Sequence, residues 1–385
     1  MKKSHLTGKR FNLATLGDVH LGHPRTSTKK IVDVILEAFP GNRETADLDM
    51  ILINGDFFDR NLSLSSDVVT DIHLAVCHLL RICADNNIIL RVLEGTPSHD
   101  YRQSQLFEVL NDKLQLKANV RHVTKLEIEY FPEHQLNILF VPDEWHTDPD
   151  KTWLDVKKAL SDHQLKTVDY VSMHGNFEYQ LPEHVPASKH ILSRYESITN
   201  KYILINHIHR FSKKGKAIAP GSLERLAHNE EEAKGHIRIY VEDDQPDRVV
   251  FVENKKATPY VTLDCTRMSP EEIELKIRQV AEEYSKLNYP GRYDAHVRVF
   301  VKQDSPFINN FKDAIALYDR VRWEYKLDTD KKQTDTVMVD TFKKYVAVQI
   351  TPENVHSLLR AELSARGHSS EFIEECLKLV KQVLR

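Results

Sequence analysis

Cysteine is scarce in this sequence, with four residues in 385: Cys77, Cys83, Cys265 and Cys376. None forms a Cys-x-x-Cys pair. That speaks against a disulfide framework and a thiolate zinc site, and the four read as reduced thiols of a cytoplasmic protein. No apolar stretch approaches the roughly 20 residues that cross a bilayer, so no membrane role is expected. The opening residues, Met1-Lys2-Lys3-Ser4-His5, lack the apolar core of a secretory signal. No repeat or low-complexity tract stands out. An excess of positive charge is absent as well. The net charge of −4 argues against indiscriminate binding of nucleic acid by a basic surface. Lys29, Lys30, Arg60, Arg102, Arg210, Lys213, Lys214, Lys216 and Arg225 nevertheless lie near the motifs described next. They read equally as a local positive rim for a phosphate backbone and as an ordinary solvated surface.

What the chain does have is five short stretches that each close an apolar run. They are Asp18-Val19-His20-Leu21-Gly22, Gly55-Asp56-Phe57-Phe58-Asp59, Gly95-Thr96-Pro97-Ser98-His99-Asp100, His174-Gly175-Asn176 and Asn206-His207-Ile208-His209. The preceding runs, Asn12–Leu16, Met50–Ile53, Ile88–Leu93, Tyr170–Met173 and Tyr202–Ile205, are rich in Ile, Val and Leu and bounded by Gly or Asp. Such runs read as buried strands. In layered α/β folds functional groups gather beyond the carboxyl ends of strands, so five strand ends in one sheet would bring these side chains together. Most of the 20 histidines lack this context. His73 and His78 fall in an expected helix, and His122, His134, His163, His184 and His190 stand in polar surroundings, so these read as solvated or hydrogen-bonded groups.

The order and spacing of the five stretches resemble the calcineurin-like metallophosphoesterases, whose pattern is D-x-H, G-D-x-x-D, G-N-H-D/E, a lone His and G-H-x-H. The resemblance implies a layered α/β fold, a β-sandwich flanked by helices, and two divalent metal ions. Two cations side by side neutralise and orient a phosphate and lower the pKa of a water. Mixed carboxylate and imidazole ligands suit Mn, Fe or Zn better than Ca, and Mn2+ is the expected ion. Carried over by position, Asp18, His20 and His209 hold one ion, Asp56 bridges both, and His174 and His207 hold the second. His99 then protonates the leaving oxygen or stabilises developing charge, while Asp59 and Asp100 orient imidazoles. The third stretch departs from the pattern. Where the family supplies an Asn amide oxygen before the His, this chain has Ser98, a weaker ligand in a longer turn; Thr96 is the other group the turn offers. The fifth stretch begins with Asn206 where Gly is usual.

A second segment, Ala219-Pro220-Gly221-Ser222-Leu223-Glu224-Arg225 followed by Lys234-Gly235-His236-Ile237, resembles the close of the phosphoesterase domain in SbcD nucleases, also called meiotic recombination eleven. Gly221 suits a tight bend beside the site, and residues 236–241 and 249–253 read as a hairpin. At 385 residues two or three units are expected. The resemblance makes them a nuclease domain over 1–254, an α+β capping, DNA-selecting domain over 260–330, a linker over 331–350 and a helical segment over 351–385. Residues 260–327 read strand, helix, strand, helix, strand, with Pro270 and Glu271-Glu272 at a helix start. The last 35 residues carry two apolar stripes (Val355, Leu358, Leu359, Leu363; Phe372, Ile373, Cys376, Leu377, Val380) that dock on something. The family resemblance makes that partner an SbcC-type coiled-coil ATPase. It further implies 3′-to-5′ exonuclease action on duplex DNA, endonuclease action on single strands and hairpins, and a homodimer serving repair or recombination. The dimer contact would use helix residues 65–86, whose apolar face reads equally as core. Two other readings stand beside this one: a phosphoesterase acting on phosphoproteins or nucleotides, and a non-catalytic DNA-binding scaffold.

Overall fold

The computed structural model describes residues 10–63, 68–143, 145–182, 184–185, 187–243, 245–284 and 294–328, with scattered helical positions between 357 and 378. Residues through Phe300 with Pro306–Lys326 form one compact unit, and Val301–Ser305 with Leu327–Arg385 form another.

The strands are β1 (Arg10–Leu16), β2 (Met50–Asn54), β3 (Ile89–Leu93), β4 (Asn119–Val123), β5 (Glu127–Phe131), β6 (Leu136–Val141), β7 (Val168–His174) and β8 (Thr199–Asn206). They continue with β9 (Ser212–Lys214), β10 (Ala217–Ala219), β11 (Gly235–Glu242), β12 (Arg248–Glu253), β13 (Tyr260–Asp264), β14 (Ala295–Lys302) and β15 (Val321–Asp328). One six-stranded sheet has the order β12-β11-β1-β2-β3-β4, another the order β5-β6-β7-β8-β10-β9, and β13-β14-β15 form a third. The five motif strands therefore divide between two sheets, not one as their similar patterns suggested: β1, β2 and β3 lie parallel in the first, and β7 and β8 parallel in the second.

Side-chain alternation explains the layering. Successive strand residues face opposite sides. Leu13, Met50, Leu52, Ile89 and Leu93 point inward and meet Phe140, Tyr170, Leu204 and Ile218 of the second sheet. Their neighbours Ala14, Leu16, Ile51, Ile53, Leu90 and Val92 point outward against helices Thr28–Ala38, Val69–Asn86 and Leu106–Lys113. Val171, Met173, Ile203 and Ile205 do the same against helices Pro149–Asp162 and Leu192–Ile198. Both strand faces are covered, which is why the runs are continuously apolar. The result is the expected β-sandwich flanked by helices. The apolar face of helix Val69–Asn86 (Ile72, Ala75, Val76, Leu79, Leu80, Cys83) is buried in this core.

β11 and β12 form the expected antiparallel hairpin. Residues 260–328 alternate strand and helix, with helices Pro270–Tyr284 and Phe307–Ile315 between the strands. The proposed linker over 331–350 lies outside the described residues, as does most of 351–385. Of the second unit, Phe372–Glu374 and Cys376–Lys378 are helical, Ile373 and Leu377 are buried, and Arg360 pairs with Glu374 at 2.6 Å. Among the described residues no helix is long and apolar enough to cross a membrane.

Candidate metal centre

Just beneath the strand ends, Asn54 ties the two sheets together. Its amide nitrogen donates to Thr15 Oγ1 at 2.9 Å and to the Leu204 carbonyl at 3.3 Å, and its oxygen accepts from Ser172 Oγ at 2.7 Å. The loops leaving this layer carry the motif side chains. Asp18, His20, Asp56 and His207 all have positive φ, at 47°, 53°, 50° and 124°. Non-glycine residues held there cost about 1–3 kcal/mol each and cluster at functional sites. Gly55 and Gly221 also have positive φ, and a side chain at Gly55 would strike the His174 ring while one at Gly221 would strike the His209 carbonyl. Close approach of backbone to site residues requires glycine at both.

Among the described residues three groups of potential ligands form, Asp18–His20–His209, Asp56–His174–His207 and His20–Asp59–His99, with ligand atoms within 4.8 Å inside each group; the first two hold the expected metal ligands. The tautomers show what they face. His20 Nδ1 lies 3.2 Å from Asp59 Oδ1 and His209 Nδ1 lies 2.9 Å from Glu230 Oε1. A carboxylate only accepts, so each Nδ1 donates, and in the neutral ring that leaves Nε2 with its lone pair. Yet these two Nε2 atoms are only 3.1 Å apart. Asp18 Oδ1, beside them, is fully buried and has no hydrogen-bond partner among the described residues. Asp18 Oδ2 is satisfied by Asn206 Nδ2 and the His207 amide, both at 3.1 Å. Lone pairs converging on a buried orphan carboxylate oxygen suit a cation.

The second group repeats the pattern. His174 Nδ1 donates to the Asn54 carbonyl at 2.6 Å, which leaves its Nε2 facing Asp56 Oδ2 at 3.3 Å and His207 Nδ1 at 3.3 Å. Asp56 Oδ2 also lies 3.8 Å from His20 Nε2, so this carboxylate stands between the two groups. Burial lowers the proton affinity of His174, but the Asp56 carboxylate outweighs it and holds the imidazole pKa well above its ordinary range. Burial raises the Asp56 value, but His174 outweighs it and the carboxyl ends well below the usual range. A cation in this group would replace the proton that the pair otherwise shares.

The remaining site residues sort clearly. Asp59 orients His20. Burial works against its ionisation, and the His20 hydrogen bond and neighbouring imidazoles more than offset that. His99 Nδ1 donates to the Asp59 carbonyl at 2.7 Å, and its ring stands edge-on to His20 with centroids 5.0 Å apart. Asp100 corrects an expectation, because among the described residues it bonds backbone amides and no imidazole. Its carboxylate accepts the backbone amides of Asp56, Phe58 and Gly95 at 2.7–3.0 Å, pinning the β2 and β3 loops together. Burial, joined by the charge of Asp56, pushes it up to about 7.

Ser98 is a second correction. It is exposed on the one-turn helix Pro97–Asp100. Thr96, in extended conformation before that helix, reaches in instead: its amide donates to Asp56 Oδ1 at 2.6 Å, and its Oγ1 lies 3.1 Å from Asp56 Oδ2 and 3.5 Å from both His174 Nε2 and His207 Nδ1. Two further residues were not anticipated. Glu230 holds His209, and Asp143 Oδ2 stands 3.9 Å from His207 Nδ1. Neither sits in a motif. The sole hint of Glu230 is its place in the polar loop between Gly221 and Lys234. Asn206 earns its departure from Gly by bonding both Asp18 and the Gly221 carbonyl at 3.1 Å.

No protein-family model matches the chain, and no curated protein sequence matches it. Similar solved structures include TT1561 of Thermus thermophilus, 11% identical, covering 63% of this chain and 98% of that one at a TM-score of 0.36. Another solved chain is 12% identical, covering 64% of this chain and 99% of that one at a TM-score of 0.35. At such scores the likeness carries no functional argument. The chain's own geometry supports a narrower statement: this is a layered α/β protein with groups of buried and half-buried His and Asp that could hold a metal ion.

Proposed function

We propose that the chain is a two-metal phosphodiesterase of the calcineurin-like kind, acting on DNA as an SbcD-type nuclease. The observation that carries this reading is the pair of ligand groups that meet at Asp56, each bringing imidazole nitrogens up to a buried carboxylate. Asp18, His20 and His209 would hold one ion, His174, His207 and Thr96 the other, and Asp56 both. Bound cations would supply charge neutralisation of a phosphodiester and a lowered pKa for water.

The protein's own groups complete the site. Asp59 and Glu230 fix the tautomers of His20 and His209, as carboxylates behind metal-binding imidazoles do. His99, anchored through Nδ1 to the Asp59 carbonyl, keeps Nε2 for the substrate, where it would donate a proton to the leaving oxygen or stabilise its developing charge. Asp100 clamps the loops that carry Asp56 and His99, limiting the drift that degrades reactive geometry.

The test is hydrolysis by Mn2+-loaded protein of duplex ends, single-stranded oligonucleotides and p-nitrophenyl phosphate mono- and diesters, with Asp56→Asn as control. Metal-dependent cleavage of DNA that Asp56→Asn abolishes supports the reading. Cleavage confined to the monoester would refute the nuclease assignment, and equal activity in Asp56→Asn would refute the site.

A further inference from the structure

A cleft of about 460 Å³ opens beside the metal centre, lined by Gly22–Lys30, Arg60, Val68, Asp71, Thr258, His296 and Arg322. Two of its walls continue segments of the site. Gly22 and His23 follow His20, and Arg60 follows Asp59. At its floor His296, 4% exposed, stacks on Tyr260 with ring centroids 4.4 Å apart and an interplanar angle of 5°. The Tyr260 hydroxyl in turn lies 3.2 Å from Thr26 Oγ1.

The charge in this cleft is unbalanced. Lys29 pairs with Asp33 at 3.6 Å, and Lys30 donates to Thr258 Oγ1 at 2.6 Å with Glu224 3.8 Å away. The guanidinium groups of Arg25, Arg60 and Arg322 enter no hydrogen bond or ion pair among the described residues. Asp71 is the one carboxylate among the described lining residues. The helix Thr28–Ala38 also begins here, and its N-cap Ser27 makes no side-chain cap bond, so first-turn amides and the positive helix end face the same region. Buried His296 responds to this field. Burial first, then Arg322, His228, Lys30 and Arg25, lower its pKa to about 3.

Three guanidiniums that line one concave, polar cleft without an ion pair among the described residues offer the chemistry of a phosphate site, since arginine binds phosphate through paired N–H donors. We propose that this cleft is a phosphate pocket, taking a phosphate of the same strand whose scissile diester lies at the metal centre. The inference rests on the phosphodiesterase reading and adds a site to it. The pocket would hold the strand in register, while the metal centre alone would meet small esters.

The test uses full-length Mn2+-loaded protein with a single-stranded oligonucleotide and with bis-p-nitrophenyl phosphate, which is too short to span both sites. Arg322→Gln and Arg25→Gln should each raise KM for the oligonucleotide by about tenfold, change kcat by less than about twofold, and lower the salt dependence of KM by about one power of salt concentration. The small diester should be unaffected, and Arg322→Lys should restore part of the loss. An oligonucleotide KM unchanged in both variants, with the small diester still cleaved, overturns the pocket and leaves the phosphodiesterase reading standing. If the wild type cleaves neither substrate, that reading fails. Calorimetry of inorganic phosphate on the EDTA-treated chain then decides the pocket. Binding weakened by Arg322→Gln would assign it to free phosphate, and binding that is absent or indifferent to Arg322 would overturn it.

Discussion

Replacing Glu230 tests the logic of the metal centre most sharply, because Glu230 touches no expected ion. Its Oε1 fixes His209 Nδ1 at 2.9 Å, and its Oε2 takes Lys234 Nζ at 2.9 Å, Leu226 N at 3.2 Å and Ser222 Oγ at 3.3 Å. Burial raises its pKa, but His209 and Lys234 more than offset this and bring it down to about 2, so the group is a carboxylate at any working pH. Glu230→Gln keeps the shape and an acceptor for His209 but loses the charge that raises the basicity of the ring. Lys234, 1% exposed, keeps the His209 carbonyl at 2.7 Å and Glu232 at 3.0 Å, so the variant should fold. Outer partners of metal-binding histidines are worth about 10- to 100-fold in metal affinity, or about 1.4 to 2.8 kcal/mol. We expect Glu230→Gln near the lower figure and Glu230→Ala near the upper, in the first ion only. Calorimetric Mn2+ titration with melting curves of the same samples measures both. Two well-folded variants that bind two ions as tightly as wild type would refute the tautomer argument.

Other outcomes follow from the same geometry. Asp56→Asn should bind less metal and lose turnover, read by metal analysis and diester hydrolysis, since it removes the charge between the two groups. Thr96→Ala should weaken the second ion by about tenfold, whereas Ser98→Ala should leave both midpoints of a Mn2+ titration in place; the reverse ranking would restore Ser98 as ligand. His236 should make the fold acid-sensitive. Its Nε2 accepts from Arg238 Nε at 3.2 Å, and burial, then Arg238, lower its pKa from 6.5 to about 3. The unfolded chain binds a proton there that the folded chain refuses, so stability should fall as pH drops from about 6.5 toward 3, by up to about 1.4 kcal/mol per unit. His236→Gln should flatten that slope in melting curves taken from pH 7 to pH 4.

The strands were legible because burial on both faces leaves continuous Ile, Val and Leu, and the ligands because they stand where those runs stop. Which sheet a strand joins was not legible. β2 and β7 read alike, and the division is made by β5 and β6, whose antiparallel pairing starts a second sheet. Ser98 misled because adjacency in sequence to His99 mimicked the family pattern, whereas the helical turn begun by Pro97 leaves Ser98 in solvent and Thr96 at the site. Asp100 looked like a partner for histidine, yet three amides of tight loops claimed its oxygens first. Glu230 was invisible because its loop has no periodicity, and only the close of the chain after Gly221 brings it to His209.

The two ligand groups that meet at Asp56 draw on both sheets: Asp18 and His20 with His209, and Asp56 with His174 and His207. Neither half of the sandwich owns all of either set. A nascent chain that has made β1 through β4 would hold Asp18, His20 and Asp56 but neither of these two sets in full, so ion capture by them would belong to a later stage of folding, after the halves have closed on Asn54. The cations would then act as rivets through a finished joint. Metal starvation should yield a protein that is assembled but loosely fastened, opening first along the seam between the sheets.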